Sequence, residues 1–239
     1  MVRKYTSLPN NRVAFRFAHE AAPDALLYYN DYNLNDRSKA EIAAAMVSDL
    51  RSQGVPIHGI GMQGHYSTDT ALGSVRSSLE LFSEIEGIVV SVTELDVGVN
   101  GSNGALSAKS EKKQALYYAK LFELYKEYGD LIERVTFWGY RDDTSWRSEN
   151  CPLLFNKDLT PKEAFYALMD PQAYIAASET EEAAPPPRRA NAFYGTPEID
   201  GEPCRLSAVV EQHHQPQTGV GGDVLHGVQG VLPYIVQMV

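Results

Sequence analysis

Glu94 and Asp96 stand two residues apart at the end of an otherwise apolar run, GIVVSVTELDV. In a strand that spacing puts both side chains on one face. Two carboxylates held close together raise each other's pKa and cost folding energy, so a solvent-facing pair at a strand–loop junction is the plain reading. A paired chemical role is the other. His65, in IHGIGMQGHY, favours chemistry: a histidine between two acids donates to both, orients them and holds Glu94 ionised, as a carboxylate nucleophile requires. A core histidine satisfied by main chain is the competing account of His65. Trp138, followed by Gly139, offers a flat apolar face, and Trp146 with Tyr29, Tyr32, Tyr66 and Tyr140 enlarges the aromatic set. Aromatic faces among Asn, Gln and Asp suit sugar rings, which have apolar faces and hydroxyl rims, although aromatics at strand ends also close cores.

The elements that would position these residues alternate between strand and helix up to about residue 170. ALLYYNDYN, IHGIGMQGHY, IVVSVTELDV and RVTFWGY read as strands, the third apolar enough for a parallel sheet covered on both faces. RVAFRFAHEAAPD places Val13, Phe17 and Ala21 at helical spacing. SKAEIAAAMVSDLRSQG reads as a helix with a capping box of Ser38 and Glu41, a stripe of Ile42, Met46 and Leu50, and a stop at Gly54. LGSVRSSLELFSEIEG turns Leu72, Val75, Leu79, Phe82 and Ile85 inward. EKKQALYYAKLFELYKEYGD and the short PKEAFYALMD complete the helices. The pattern predicts an α/β fold with a parallel sheet. Asn30, Asp31 and Tyr32, Gln63 and His65, Glu94 and Asp96, and Trp138 and Tyr140 then fall at the C-terminal ends of all four strands, the edge where such sheets bind ligands.

A net charge of −10, without a basic stripe, argues against nucleic acid as a partner. No apolar run is long enough to span a membrane, and MVRKYTSLPN has no signal-peptide core. Cys151 and Cys204 form no metal-ligand spacing, and the adjacent His213 and His214 lack ligand partners, so no metal or other cofactor is expected. Neither a G-x-G-x-x-G phosphate loop nor a G-x-S-x-G elbow occurs. Three regions are expected: an α/β unit over 1–172, a linker rich in Pro, Ala and Glu over 173–190, and a truncated or disordered tail over 191–239.

Taken in order, LLYYNDYNLN, IHGIGMQGHY, VVSVTELDV and VTFWGYRDDTSW resemble the second half of family 10 glycoside hydrolases, the endo-β-1,4-xylanases. The resemblance implies a (β/α)8 TIM barrel of which only strands five to eight and their helices lie in this chain. It further implies retaining endo-hydrolysis of xylan, with xylan or xylo-oligosaccharides as partner. By the same likeness Glu94 is the nucleophile, with His65 and Asp96 orienting it, and Asn30, Tyr32, Gln63, Trp138 and Trp146 bind substrate. Arg141 departs from the family's smaller residue after the tryptophan motif. The family's acid/base glutamate, in a W-D-V-V-N-E type motif, has no counterpart here. The chain alone is therefore expected to be weakly active or inactive, with open strand edges that call for a complementary half-barrel or a second copy. NAFYGTPEIDGE faintly resembles the start of a family 9 carbohydrate-binding module. An extracellular or envelope location is expected from the size of xylan. The alternative function is a non-catalytic carbohydrate-binding fragment.

Overall fold

A computed structural model describes residues 8–179, 198–199, 202–203 and 235–238. The sequence-predicted tract beyond 179 with its prolines, and His213 and His214, lie outside the described residues. Element order is α1 (Leu8–Ala21), β1 (Tyr28–Asp31), α2 (Arg37–Ser52), β2 (Gly59–Met62), β3 (His65–Ser67), α3 (Leu72–Ser83), β4 (Val89–Gly98), α4 (Ala108–Glu127), β5 (Ile132–Phe137), α5 (Glu163–Met169) and α6 (Pro171–Glu179). Three short strands follow: β6 (Glu198–Ile199), β7 (Glu202–Pro203) and β8 (Ile235–Met238).

The sheet runs β1-β2-β4-β5-β8 with every neighbouring pair parallel, and β3 pairs with the second half of β4. The four strands expected from the sequence fall on the first four of that path, with helices between them, but IHGIGMQGHY breaks at Gln63 and Gly64 into β2 and β3. Between β4 and β5 the register shifts across Val92 to Leu95, so Glu94 sits at an irregularity of the ladder. Such bulges bend a strand and re-aim its side chains. Ile60, Met62, Val90, Val92, Val135 and Phe137 are buried on the strands, against Val47, Leu50, Leu79, Phe82, Tyr118 and Leu121 of the helices.

Several local expectations change. The N-cap of α2 is Asp36, whose side chain accepts from Lys39 N at 2.9 Å. Ser38 lies inside the helix and donates to Asp36 at 2.6 Å, while Glu41 pairs with Arg37 across one turn, so no capping box forms. Ile42 is exposed, and alanines fill its expected place: Ala40, Ala43 and Ala44 join Met46, Val47 and Leu50 on the buried face. Val13 and Phe17 on α1 are exposed as well. Gly54 and Gly87, both at positive φ, follow α2 and α3 as their sequences suggest. Helix α6 extends through residues 173–179, which composition had assigned to the linker. The outer edge of β5 is paired, not open: Arg134 to Phe137 align with Ile235 to Met238. Among the described residues no helix is long and apolar enough to cross a membrane.

Candidate active site

The chain leaves β2 through Gln63 and Gly64, and their carbonyls accept from Glu94 N at 2.8 Å and Asp96 N at 3.3 Å. Gly64 has φ +80°, a conformation in which a side chain is strained. That turn lays β3 beside the end of β4, with His65 directly opposite Asp96. The imidazole then spans the two acids: Nδ1 lies 3.0 Å from Asp96 Oδ2 and Nε2 lies 3.2 Å from Glu94 Oε2. Ionised carboxylates only accept, so both contacts are hydrogen bonds together only when the ring carries both protons. Glu94 and Asp96 thus share a face, as their spacing predicts. The histidine is held by side-chain carboxylates, not by main chain.

Glu94 is fixed from its other side. Asn30 Nδ2 donates to Glu94 Oε1 at 3.1 Å, and Thr93 Oγ1 donates to Asn30 Oδ1 at 2.7 Å, which sets the orientation of the amide. Gly61 makes this possible, because a Cβ there would stand 2.5 Å from Asn30 Oδ1. Asp96 is fully buried and accepts from Arg147 Nη1 at 2.6 Å and Trp146 Nε1 at 3.0 Å as well as facing His65. The ring of Trp146 meets His65 edge-on at 5.0 Å between centroids. Trp146 nevertheless leaves 65% of its surface exposed, against 57% for Tyr32 and 38% for Trp138. Trp138 is tied to β4 through its own N–H and Leu95 O. Gln63 serves the site through its main chain, and its side chain is half-buried.

At the end of β1 a second network forms. Lys39 Nζ lies 2.9 Å from Asp31 Oδ1 and 3.5 Å from the centroid of the Tyr32 ring. Tyr29 OH donates to Asp31 Oδ2 at 2.7 Å, and Tyr32 N donates to Asp31 Oδ1 at 2.9 Å. Burial pushes the Asp31 carboxyl up, but Lys39, Tyr29 and the Tyr32 N–H outweigh it and hold the group below its usual range.

The loop carrying Trp146 and Arg147 is anchored by buried polar groups. Lys162 Nζ pairs with Asp142 Oδ2 at 2.8 Å and donates to Cys151 O at 2.7 Å. Gln114 Nε2 donates to Val97 O and Cys151 O, both at 2.7 Å, and Tyr118 OH donates to Pro152 O at 2.6 Å. Burial pushes the Asp142 carboxyl up and the Lys162 ammonium down, against the mutual attraction of the pair. Arg141 pairs locally with Asp143 at 2.6 Å. Arg147, Thr93, Gly61 and Lys39 were not singled out by sequence reasoning. Adjacency to Trp146 was the available signal for Arg147.

A carboxylate braced by histidine and asparagine thus stands at the C-terminal edge of a parallel α/β sheet, the edge where barrels and open sheets alike bind ligands. Residues 11–171 match the glycosyl hydrolase family 10 profile, and the chain belongs to that family. An endo-1,4-beta-xylanase of Geobacillus stearothermophilus is 40% identical over 171 residues, which cover 66% of this chain and 52% of that protein. Endo-1,4-beta-xylanase A of Thermoanaerobacterium saccharolyticum is 39% identical over 188 residues, 78% of this chain and 15% of that protein. The chain thus spans about half the length of the first relative and far less of the second. Among solved structures, the intracellular xylanase TsXylA of T. saccharolyticum aligns at a TM-score of 0.62 and 41% identity, covering 66% of this chain and 48% of that one. A Thermobacillus composti family 10 xylanase aligns at 0.63 and 43%, covering 68% and 57%.

Proposed function

We propose that this chain is the nucleophile-bearing C-terminal half of an endo-1,4-β-xylanase that retains anomeric configuration. The observation that carries the reading is His65 held between Glu94 and Asp96, with Asn30 on the remaining oxygen of Glu94. A carboxylate with Asn30 Nδ2 on one oxygen and the His65 ring on the other is held in one orientation. In the proposed reaction Glu94 attacks the anomeric carbon, the glycosidic oxygen departs, and water later releases the sugar from the covalent intermediate. Trp138, Trp146 and Tyr32 would supply faces for the xylose rings and Gln63 a polar contact.

Departure of a sugar alkoxide needs a general acid, worth about 10²- to 10⁴-fold. Four carboxylates near the strand ends are committed to cations: Asp31 to Lys39, Asp96 to Arg147, Asp142 to Lys162 and Asp143 to Arg141. In our reading the acid comes from outside the described residues, about 5 to 5.5 Å from Glu94 in a retaining site. The described chain should therefore be poor on xylan. A dinitrophenyl leaving group departs without protonation, so 2,4-dinitrophenyl 2-deoxy-2-fluoro-xylobioside tests Glu94 without the missing acid. We expect one equivalent of dinitrophenolate and a stable adduct on Glu94. A folded chain that releases none would overturn the reading.

A purely carbohydrate-binding role is favoured only by the exposure of Trp146 and Trp138. It predicts xylo-oligosaccharide affinity that survives Glu94→Ala, with no adduct in the unaltered chain. An extracellular or envelope setting is proposed from substrate size alone. TsXylA is described as intracellular, and activity assays on fractionated cells of the source organism would decide the matter.

A further inference from the structure

We propose that Arg147 is a positioning residue for Glu94, acting through Asp96 and His65, and that Gly98 is the position that admits it. This rests on the reading of Glu94 as nucleophile. Asp96 has no solvent exposure, so the donors around it fix how its carboxylate stands. Without a donor on Oδ1 the carboxylate would turn toward its remaining partners, His65 and Trp146, and draw the imidazole away from the position that turns Nε2 toward Glu94. Arg147 prevents this. Its Nη1 lies 2.6 Å from Asp96 Oδ1, opposite the oxygen that faces His65. The same nitrogen donates to Tyr66 O at 3.0 Å, so one guanidinium fixes both the acid and the strand residue beside His65.

The groups facing Asp96 come from every element around it. His65 faces it from β3, Trp146 and Arg147 from the loop, and Glu94 shares its face of β4 through the same imidazole. Tyr118 of α4 feels its negative charge. Arg147 is the one fixed cation in that set. Its place depends on Gly98, where a Cβ would lie 2.8 Å from Arg147 Nη2 and 2.9 Å from Asn150 Cβ. Any larger residue at 98 therefore pushes the guanidinium away while leaving its charge intact.

The test uses the full chain with isotope-labelled histidine and reads the Nδ1–H proton of His65 by NMR, assigned with His65→Gln. In Arg147→Met the Asp96 carboxylate loses its strongest donor and becomes a stronger acceptor for that proton, so the signal moves downfield. Arg147→Lys restores the charge and returns the signal toward its original position. Gly98→Ala shifts it in the same direction as Arg147→Met. In parallel, labelling of Glu94 by the dinitrophenyl reagent slows roughly 10- to 100-fold in Arg147→Met, as expected for a misplaced reacting group, and recovers in Arg147→Lys. If Arg147 only tethers its loop, Arg147→Met lowers the unfolding midpoint but leaves the His65 signal and the labelling rate of folded protein unchanged; that result overturns the proposal. Should Arg147→Met fail to fold, an unshifted His65 signal in Gly98→Ala overturns it equally. An intact His65 response without labelling of the unaltered chain refutes the nucleophile reading while leaving the control of His65 by Arg147 in place.

Discussion

Replacing Lys162 by methionine removes a buried ammonium and keeps most of its aliphatic stem. The side chain of Lys162 is 1% exposed and that of Asp142 13% exposed, and their charged atoms lie 2.8 Å apart. Removing one partner of a buried pair leaves the other charge uncompensated, at a cost of about 3–5 kcal/mol. Here Cys151 O also loses its 2.7 Å donor, which argues for the upper part of that range. Asp142 keeps Leu153 N at 2.7 Å but no cation. Burial already pushes its carboxyl up, and without Lys162 nothing of comparable strength opposes that push. The folded variant then holds a proton that the unfolded chain releases, so its stability falls as pH rises above the unfolded carboxylate range, by up to roughly 1.4 kcal/mol per pH unit. The deficit relative to the unaltered chain is thus larger near about pH 8 than near about pH 5. Urea unfolding followed by tryptophan fluorescence at both pH values measures it. A domain has only about 5–15 kcal/mol in total, so the variant should be visibly unstable at the higher pH. Lys162→Met combined with Asp142→Leu should recover most of the loss. A cost under about 1 kcal/mol, equal at both pH values, would refute the claim that this pair anchors the loop of Trp146 and Arg147.

Gly61→Ala places a Cβ 2.5 Å from Asn30 Oδ1, so Asn30 must leave Glu94; the rate of Glu94 labelling should fall roughly 10- to 100-fold, read as dinitrophenolate release. Trp146→Phe removes an N–H from the buried Asp96 carboxylate and should cost about 1.5–3 kcal/mol in urea unfolding. The Asp31 carboxyl is held below its usual range, so its stabilising contribution is complete at neutral pH and disappears as pH falls from the unfolded value through the lowered folded one; Asp31→Asn should flatten that acid limb of a stability–pH curve. A chain ending at Glu179 loses β8 and opens the outer edge of β5, so it should self-associate at concentrations where the full chain does not, as seen by size exclusion with light scattering.

The strands and their order were readable because parallel strands covered on both faces leave continuous apolar runs, and IVVSVTELDV is such a run. Glu94, Asp96 and His65 were readable because a carboxylate pair in that setting needs a partner, and their mutual geometry follows from strand period and parallel register. Other features depend on distances that a linear pattern does not carry. Arg147 reads as one more surface arginine until the loop folds back and a glycine at 98 is found to leave room for it. Asp36 and Ser38 are both good caps, and only the start of the helical turn decides between them. Ile42 looked like core because the stripe was drawn on large residues, whereas α2 packs closely through alanines. The pairing of β8 with β5 joins segments about a hundred residues apart, and nothing local in either predicts it.

The central claim is that Glu94 forms a covalent bond to sugar. Incubating the full chain with 2,4-dinitrophenyl 2-deoxy-2-fluoro-xylobioside, digesting it and locating the adduct by mass spectrometry tests this most directly. A single glycosyl group on Glu94, absent in Glu94→Gln and formed more slowly in His65→Gln, is the predicted result. A folded chain that carries no adduct, or carries it on another residue, would contradict the account.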